Sequence, residues 1–388
     1  MQKKNLSALS MLALTIASPM SLAQTDETGF SVETDLGIAH DDNIYRVTDE
    51  LAVSDTFVSL APTLKLAGAW GKHRFETSYS GDYAKFSEES DADYADHDIK
   101  ARINLEHTLR LSTRFEAGFQ KEHEDPGSFN RIQLDLQEYN KFEQTFFAGR
   151  FAYGSDSAIG QLTVSYRYTD KNYTNNNLDF LDFESNQLGA RFTYRVAPKT
   201  RAYIDLAQTD FDYDPIGNFE LDNKFSNYRA GISWNFTNKL TGDANMGYQE
   251  RDYDLPAVRD ISGLAYDGRI TWSINSFTTV AFNARRQSLD STIEGLGGFL
   301  RTTYGSSLRH DLTPLLHLNA SARYNDDELV FNSERNDKRY IYAVGLEYDL
   351  SRLVSLSLDY KYDERDSTDP LADFEANTVS LTAKFTLD

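Results

Sequence analysis

Arginines recur on a single two-residue register through most of this chain: Arg102, Arg114, Arg167, Arg191, Arg195, Arg229, Arg269, Arg285, Arg301, Arg309, Arg323 and Arg339. A guanidinium presents a planar fork of N–H donors that grips carboxylates and phosphates two bonds at a time. A surface lined with such forks would bind or select anions. Carboxylates on the same register are slightly fewer: Glu33, Asp35, Glu76, Glu106, Glu116, Asp205, Asp243, Asp267, Glu347 and Asp359. Two readings stay open at this point. The arginines can select anions as a charged lining, or they can pair with those carboxylates across neighbouring strands and only keep the surface polar.

Other groupings with chemical potential are thinner. His40 stands beside Asp41 and Asp42, and His97 between Asp96 and Asp98. General acid–base work needs partners within hydrogen-bond reach, which adjacency in a chain does not supply, and no serine nucleophile motif accompanies either histidine. No catalytic residue is assigned, and the chain is not expected to be an enzyme. Asp210, Asp212 and Asp214 imitate the start of a calcium loop, but Pro215 stands where such a loop wants Gly and Leu221 where it wants Glu. Neither a metal nor a cofactor is expected. Glu88, Glu89, Asp91, Asp93 and Asp96 form an acidic cluster suited to divalent-ion bridges with lipopolysaccharide phosphates, or simply to water. The 388-residue chain has a formal charge of −21, which argues against nucleic acid as a partner. With no Cys, disulfides, thiolate chemistry and a lipoprotein anchor are excluded.

The elements that must carry these groups follow from the alternation itself. Val354, Leu356, Leu358, Tyr360 and Tyr362 interleave with Leu353, Ser355, Ser357, Asp359 and Lys361. Val379, Leu381, Ala383, Phe385 and Leu387 interleave in the same way with Ser380, Thr382, Lys384 and Thr386. A period of two puts one set of side chains on each face of a strand. Sustained along the chain, with aromatics at the segment ends, it describes a wall between lipid and water. The expected fold is all-β, a transmembrane up-and-down antiparallel β-barrel.

Segments centred near Glu33, Leu60, Thr77, Ala101, Ala117, Phe147, Val164, Ala190, Ile204, Ala230, Ala244, Gly268, Asn283, Tyr304, Asn319, Ala343, Leu356 and Leu381 make 18 strands. Sixteen is the nearest alternative, because the sixth segment breaks alternation at Phe146-Phe147. Short connectors, such as Trp70-Gly71 and Leu350-Ser351, alternate with long polar ones, such as His40 to Ser54. Trp70, Trp234 and Trp272 fall at the short-connector ends and form an expected periplasmic girdle. Tyr79, Tyr83, Tyr166, Tyr168, Tyr228, Tyr248, Tyr266, Tyr324, Tyr360 and Tyr362 fall near the opposite ends.

The first residues read as an export address. Lys3 and Lys4, the apolar run Leu6 to Ala17 and Ser21-Leu22-Ala23 suggest a secretory signal over 1–23, leaving 24–388 as the barrel. That run is shorter than the roughly 20 residues a spanning helix needs. The expected location is the outer membrane of a Gram-negative bacterium, with both termini in the periplasm. Eighteen strands would enclose a lumen too wide for side chains alone to fill. Asp125 to Gln137 or Tyr173 to Phe183 could fold in and narrow it, although an external loop is the plainer expectation for each.

One stretch adds a resemblance. His40-Asp41-Asp42-Asn43-Ile44-Tyr45-Arg46 follows the first strand, and Ser59 to Leu66 with His73 to Tyr79 completes the next hairpin. The D-N-x-[FY]-R ending and Pro62 make this region similar to the "putative β-barrel porin 2" family, the EpsL/VpsM-like outer-membrane proteins of exopolysaccharide operons. The resemblance implies export of a secreted or capsular polysaccharide across the outer membrane, in company with a periplasmic polysaccharide export protein. It transfers no catalytic residue, and it is an argument by analogy. The residues alone fit equally a general diffusion porin for small, preferentially anionic solutes. A non-conducting surface scaffold or adhesin built on the acidic loops is the third reading. Expected partners are outer-membrane lipids and lipopolysaccharide, with an anionic polysaccharide or small solutes in the lumen.

Overall fold

The computed structural model describes residues 28–129, 138–155, 157–214, 221–237, 239–290, 297–329 and 335–387; the expected signal segment lies outside them. The strands are β1 (Gly29–Asp41), β2 (Asp55–Trp70), β3 (His73–Phe86), β4 (Tyr94–Glu106), β5 (Leu111–His123) and β6 (Lys141–Tyr153). Next come β7 (Gly160–Tyr173), β8 (Phe183–Ala197), β9 (Thr200–Tyr213), β10 (Asn223–Thr237), β11 (Leu240–Tyr253) and β12 (Ile261–Ser273). The last are β13 (Thr278–Asp290), β14 (Gly298–Asp311), β15 (Leu316–Leu329), β16 (Asn336–Asp349), β17 (Val354–Ser367) and β18 (Phe374–Leu387). Every segment centre expected from the alternation falls inside its strand.

Each strand pairs antiparallel with its sequence neighbours, and β18 pairs with β1, so the 18-stranded sheet closes. Closure leaves no row of unpaired backbone groups, the condition for strands to sit in hydrocarbon. The register then keeps the two faces separate around the ring. Glu33 lies opposite Thr386 at the seam, and Leu346 opposite Leu358 on the far wall. Leu60, Phe115, Phe192, Ile204, Met246, Leu358 and Leu381 are exposed on the outer face, where only lipid is available to cover them.

The broken alternation in β6 has a local cause. Phe147 faces outward and is exposed, whereas Phe146 faces the lumen and is 2% exposed. Gly118 on β5 stands opposite Phe146, and a Cβ there would collide with the ring. The Arg167 guanidinium covers the ring at 3.9 Å from its centroid.

Connectors of two to six residues on one rim alternate with connectors of six to seventeen on the other. Three consecutive short turns share a sequence plan at positions 274, 312 and 350, an even step of 38: Ile274-Asn275-Ser276-Phe277, Leu312-Thr313-Pro314-Leu315 and Leu350-Ser351-Arg352-Leu353. In each, a side-chain oxygen accepts backbone N–H groups: Asn275 from Phe277 at 3.0 Å, Thr313 from Leu316 at 3.0 Å, and Ser351 from Val354 at 3.1 Å. These bonds substitute for the ladder that the chain loses while reversing. Trp70, Trp234 and Trp272 stand on the outer face at this rim. At the long-loop rim, Leu178 and Leu181 pack against Tyr213, Tyr253 and Val258, so the 173–183 stretch rests on the neighbouring strand ends of its own side.

Candidate functional site: the lumen wall and the segment that crosses it

The ladder register places all of the sequence-named arginines on the lumen face, but they meet different partners. Arg102 donates to Glu116 at 3.0 Å, Arg301 grips Asp327 with two bonds of 2.6 Å, and Arg309 reaches Glu347 at 3.1 Å. Arg191 bonds Asp205 and Arg285 bonds Asp267. Among the described residues, Arg167, Arg195, Arg229 and Arg323 have no carboxylate within ion-pair distance. Arg229 donates instead to Asn227 at 2.7 Å and Asn245 at 3.4 Å, and Arg167 to Thr169 at 3.3 Å.

Two arginine pairs stand directly opposite each other on adjacent strands, Arg114 with Arg150 and Arg195 with Arg201. Like charges in that relation destabilise a sheet unless water or an anion separates them. Arg269 lies opposite Asp243 on one side and Asn283 on the other. Arg74, Arg150, Arg201, Arg251 and Arg365 share the inward register and escaped the sequence reading, although the same two-residue count reaches them.

The decisive feature is the segment 124–129 after β5. Arg339 on β16 donates to the Asp125 carboxylate at 2.9 and 3.3 Å and to the Gly127 carbonyl at 2.6 Å. The same guanidinium holds Asp363 of β17 at 2.8 and 2.7 Å. Arg365 donates to the Ser128 carbonyl at 3.0 Å, and Arg335 to the Phe129 carbonyl at 3.4 Å. Phe129, 1% exposed, stacks on Phe299 of β14 with ring centroids 4.2 Å apart. Five or more strands separate β5 from β14, β16 and β17 in either direction around the ring, so this segment spans the lumen. Gly127 is required there, because a Cβ would run into the Arg339 guanidinium. The rest of the expected in-folding stretch, 130–137, lies outside the described residues.

Arg46, from the loop after β1, extends the network with two 2.8 Å bonds to Asp41 and one of 3.4 Å to Asp363. Burial alone would lower its pKa, but Asp41 and then Asp363 override that and raise it. Burial would likewise raise the Asp125 pKa, yet the charges of Arg339 and Lys361 hold it well below the usual carboxylate range. These residues also explain the D-N-x-[FY]-R ending. Asp42 accepts the backbone N–H of Asn377 at 2.6 Å and its side-chain amide at 2.9 Å, tying the first strand to the last. The Asn43 amide bridges the carbonyls of Val47 at 2.6 Å and Glu375 at 3.0 Å. Tyr45 packs on Tyr139 of the loop before β6, with centroids 6.1 Å apart.

The histidine groupings separate in space. Neighbours in a strand point to opposite faces, so His40 looks outward to Thr56 at 3.0 Å while Asp41 looks inward to Arg46. His97 bonds Tyr79 outside at 3.0 Å, whereas Asp96 turns inward to His123 at 2.8 Å. Asp210 and Asp212 lie within strand β9, not in a loop, and no cluster of metal-ligand type occurs among the described residues.

Residues 30–387 match the family described as "Putative beta-barrel porin 2". No curated protein matches. Among solved structures, Pseudomonas aeruginosa OpdO is similar at 13% identity and a TM-score of 0.50, over 92% of this chain and 96% of that one. P. aeruginosa OccK2 (OpdF), solved in complex with glucuronate, is similar at 11% identity and a TM-score of 0.50, over 92% and 98%. At such identities the likeness establishes the fold alone, a closed antiparallel β-barrel. With nearly its whole length matched, the chain belongs to the "Putative beta-barrel porin 2" family.

Proposed function

We propose that this porin-like barrel is an anion-preferring outer-membrane channel whose cargo is a secreted acidic polysaccharide, handed over by a periplasmic polysaccharide export protein. The observation that carries the reading is the set of lumen arginines that have no carboxylate within ion-pair distance among the described residues: Arg167, Arg195, Arg229 and Arg323. A guanidinium that no carboxylate neutralises is available to uronate or phosphate groups passing the wall. The resemblance of the 40–46 region to exopolysaccharide-operon proteins supports the choice of cargo.

A second reading, a general diffusion porin for small anions, is favoured by the crossing segment. A segment anchored across the lumen narrows the path, which suits small solutes, whereas a polymer requires residues 124–129 to move. Planar-bilayer recordings of the purified barrel separate the two. An export channel is expected to be anion-selective, with current blocked by an acidic glycan and not by a neutral one of equal length. An anion-selective pore indifferent to both glycans would leave the general porin. Zero conductance would turn the assignment to a surface scaffold.

A further inference from the structure

On the lipid face near the long-loop rim, strands β2 to β6 enclose a groove of about 630 Å³. Val58, Leu60 and Tyr83 line it and Lys85, Lys121 and Lys141 border it, together with Asp93, whose carboxylate accepts the Phe86 backbone N–H at 2.8 Å. The register puts these lysines outside the wall, Lys85 beside Val58 and Lys121 between His97 and Glu143. A lysine on the lipid side is tolerated only near the headgroup level, so their position marks that level. Beneath them Tyr79 bonds both Tyr83 and His97, forming part of the interfacial belt.

This sector differs from the rest of the same rim. Elsewhere acids outnumber cations on the outward register near this rim, with Asp210, Glu250, Asp252, Glu328 and Asp366 against Lys224, Arg286 and Lys338, in keeping with a chain of net charge −21. Those acidic positions repel phosphate unless a divalent ion intervenes. In the groove, Lys85 has no carboxylate partner among the described residues. Lys121 reaches Glu143 at 3.0 Å and Lys141 reaches Glu138 at 3.7 Å, both in exposed pairs. Exposed pairs of this kind contribute little, so each lysine can be taken by a more highly charged phosphate.

The geometry points to a binding site for a phosphorylated glycolipid of the outer leaflet, with phosphates on Lys85, Lys121 and Lys141 and an acyl chain along Val58, Leu60 and Tyr83. The combination of cations above an apolar floor matches a headgroup joined to a chain, and neither a free anion nor a neutral lipid would use both. Because the groove lies outside the wall, it is independent of whatever solute crosses the lumen.

The test is native mass spectrometry of the delipidated full-length barrel, titrated with diphosphorylated lipid A and with the same lipid after phosphate removal. Wild type is expected to prefer the phosphorylated form, and Lys85→Gln/Lys121→Gln/Lys141→Gln to weaken that binding by roughly tenfold or more. Lys224→Gln/Lys338→Gln, on the outer face of other strands, is expected to leave it unchanged. Equal affinity of wild type for the two lipids, or equal losses in the two variants, overturns the site. Complete displacement of the lipid by equimolar inorganic phosphate would show a bare anion site and also overturn it. Should the triple variant fail to show the heat-modifiable mobility of a folded barrel, Lys85→Gln alone decides. An unchanged affinity there rejects the assignment.

Discussion

The walls β6–β13 and β14–β18 carry the same side chain to different ends. On β6–β13 the inward carboxylates are Asp205, Asp243 and Asp267, and Arg167 and Arg229 make do with Thr169, Asn227 and Asn245. On β14–β18, Asp327, Asp337, Glu347 and Asp363 answer Arg301, Arg335, Arg309 and Arg339. There the surplus hydrogen-bonding capacity of Arg339 and Arg365 goes to the segment from β5. Among the described residues, β6–β13 leaves Arg167, Arg195 and Arg229 without a carboxylate although Arg191 and Arg285 have one; β14–β18 leaves only Arg323 without one and turns Arg339 and Arg365 to holding a segment across the lumen. Arginine content alone therefore says nothing about selectivity. What matters is whether a carboxylate stands opposite.

The largest expected effect breaks the anchoring wall. Arg339→Ala removes the group that joins Asp125 to Asp363; Asp363 keeps Arg46 and Lys361, but Asp125 loses its ion pair, a change of at most about 3–5 kcal/mol judged from fully buried sites. Single-channel conductance is expected to rise several-fold as residues 124–129 leave the lumen. An unchanged conductance in a folded variant would mean that the segment does not limit flow.

Next in size is the opposite wall. Arg167→Ser/Arg229→Ser should shift the reversal potential in a salt gradient toward a non-selective value. Arg102→Ser/Glu116→Ser, which deletes a neutral pair, should not. Equal shifts in both would abolish the distinction drawn between the two kinds of arginine.

A pH series sharpens the comparison further. Asp125 has a lowered pKa, so its stabilising contribution is complete above the unfolded carboxylate value of roughly 4. It is lost only as pH falls through the lower folded value. Conductance is accordingly expected to be flat between about pH 5 and 8, with opening confined to strong acid. Opening near pH 6 would assign the anchor to a group other than Asp125. The smallest effect belongs to Tyr203→Phe. It removes the hydroxyl bonds to Asp243 at 2.6 Å and Asn245 at 3.3 Å but keeps the ring beside Arg191. A loss of about 1 kcal/mol in unfolding free energy, with selectivity intact, is expected.

Much of this was legible in the chain because a strand has a period of two and nothing else does. The alternation gave 18 segments, their faces and the level of Trp70, Trp234 and Trp272, since each depends only on local parity. The D-N-x-[FY]-R ending was visible as a pattern, yet its purpose was not. Asp42 is tied to Asn377, and a bond across 335 residues leaves no local trace. Likewise His97 and Asp96 look like partners in a line of text, and the pleat sends them to opposite sides of the wall.

By itself, then, the sequence determined a closed wall with an apolar outside, a charged inside and alternating connector lengths, because those follow from side-chain direction along each strand. Only the tertiary structure decided which arginines have a carboxylate opposite, and that residues 124–129 cross to Arg339 and Phe299. Both depend on inter-strand register and on contacts between elements distant in the chain, and no short-range pattern encodes either.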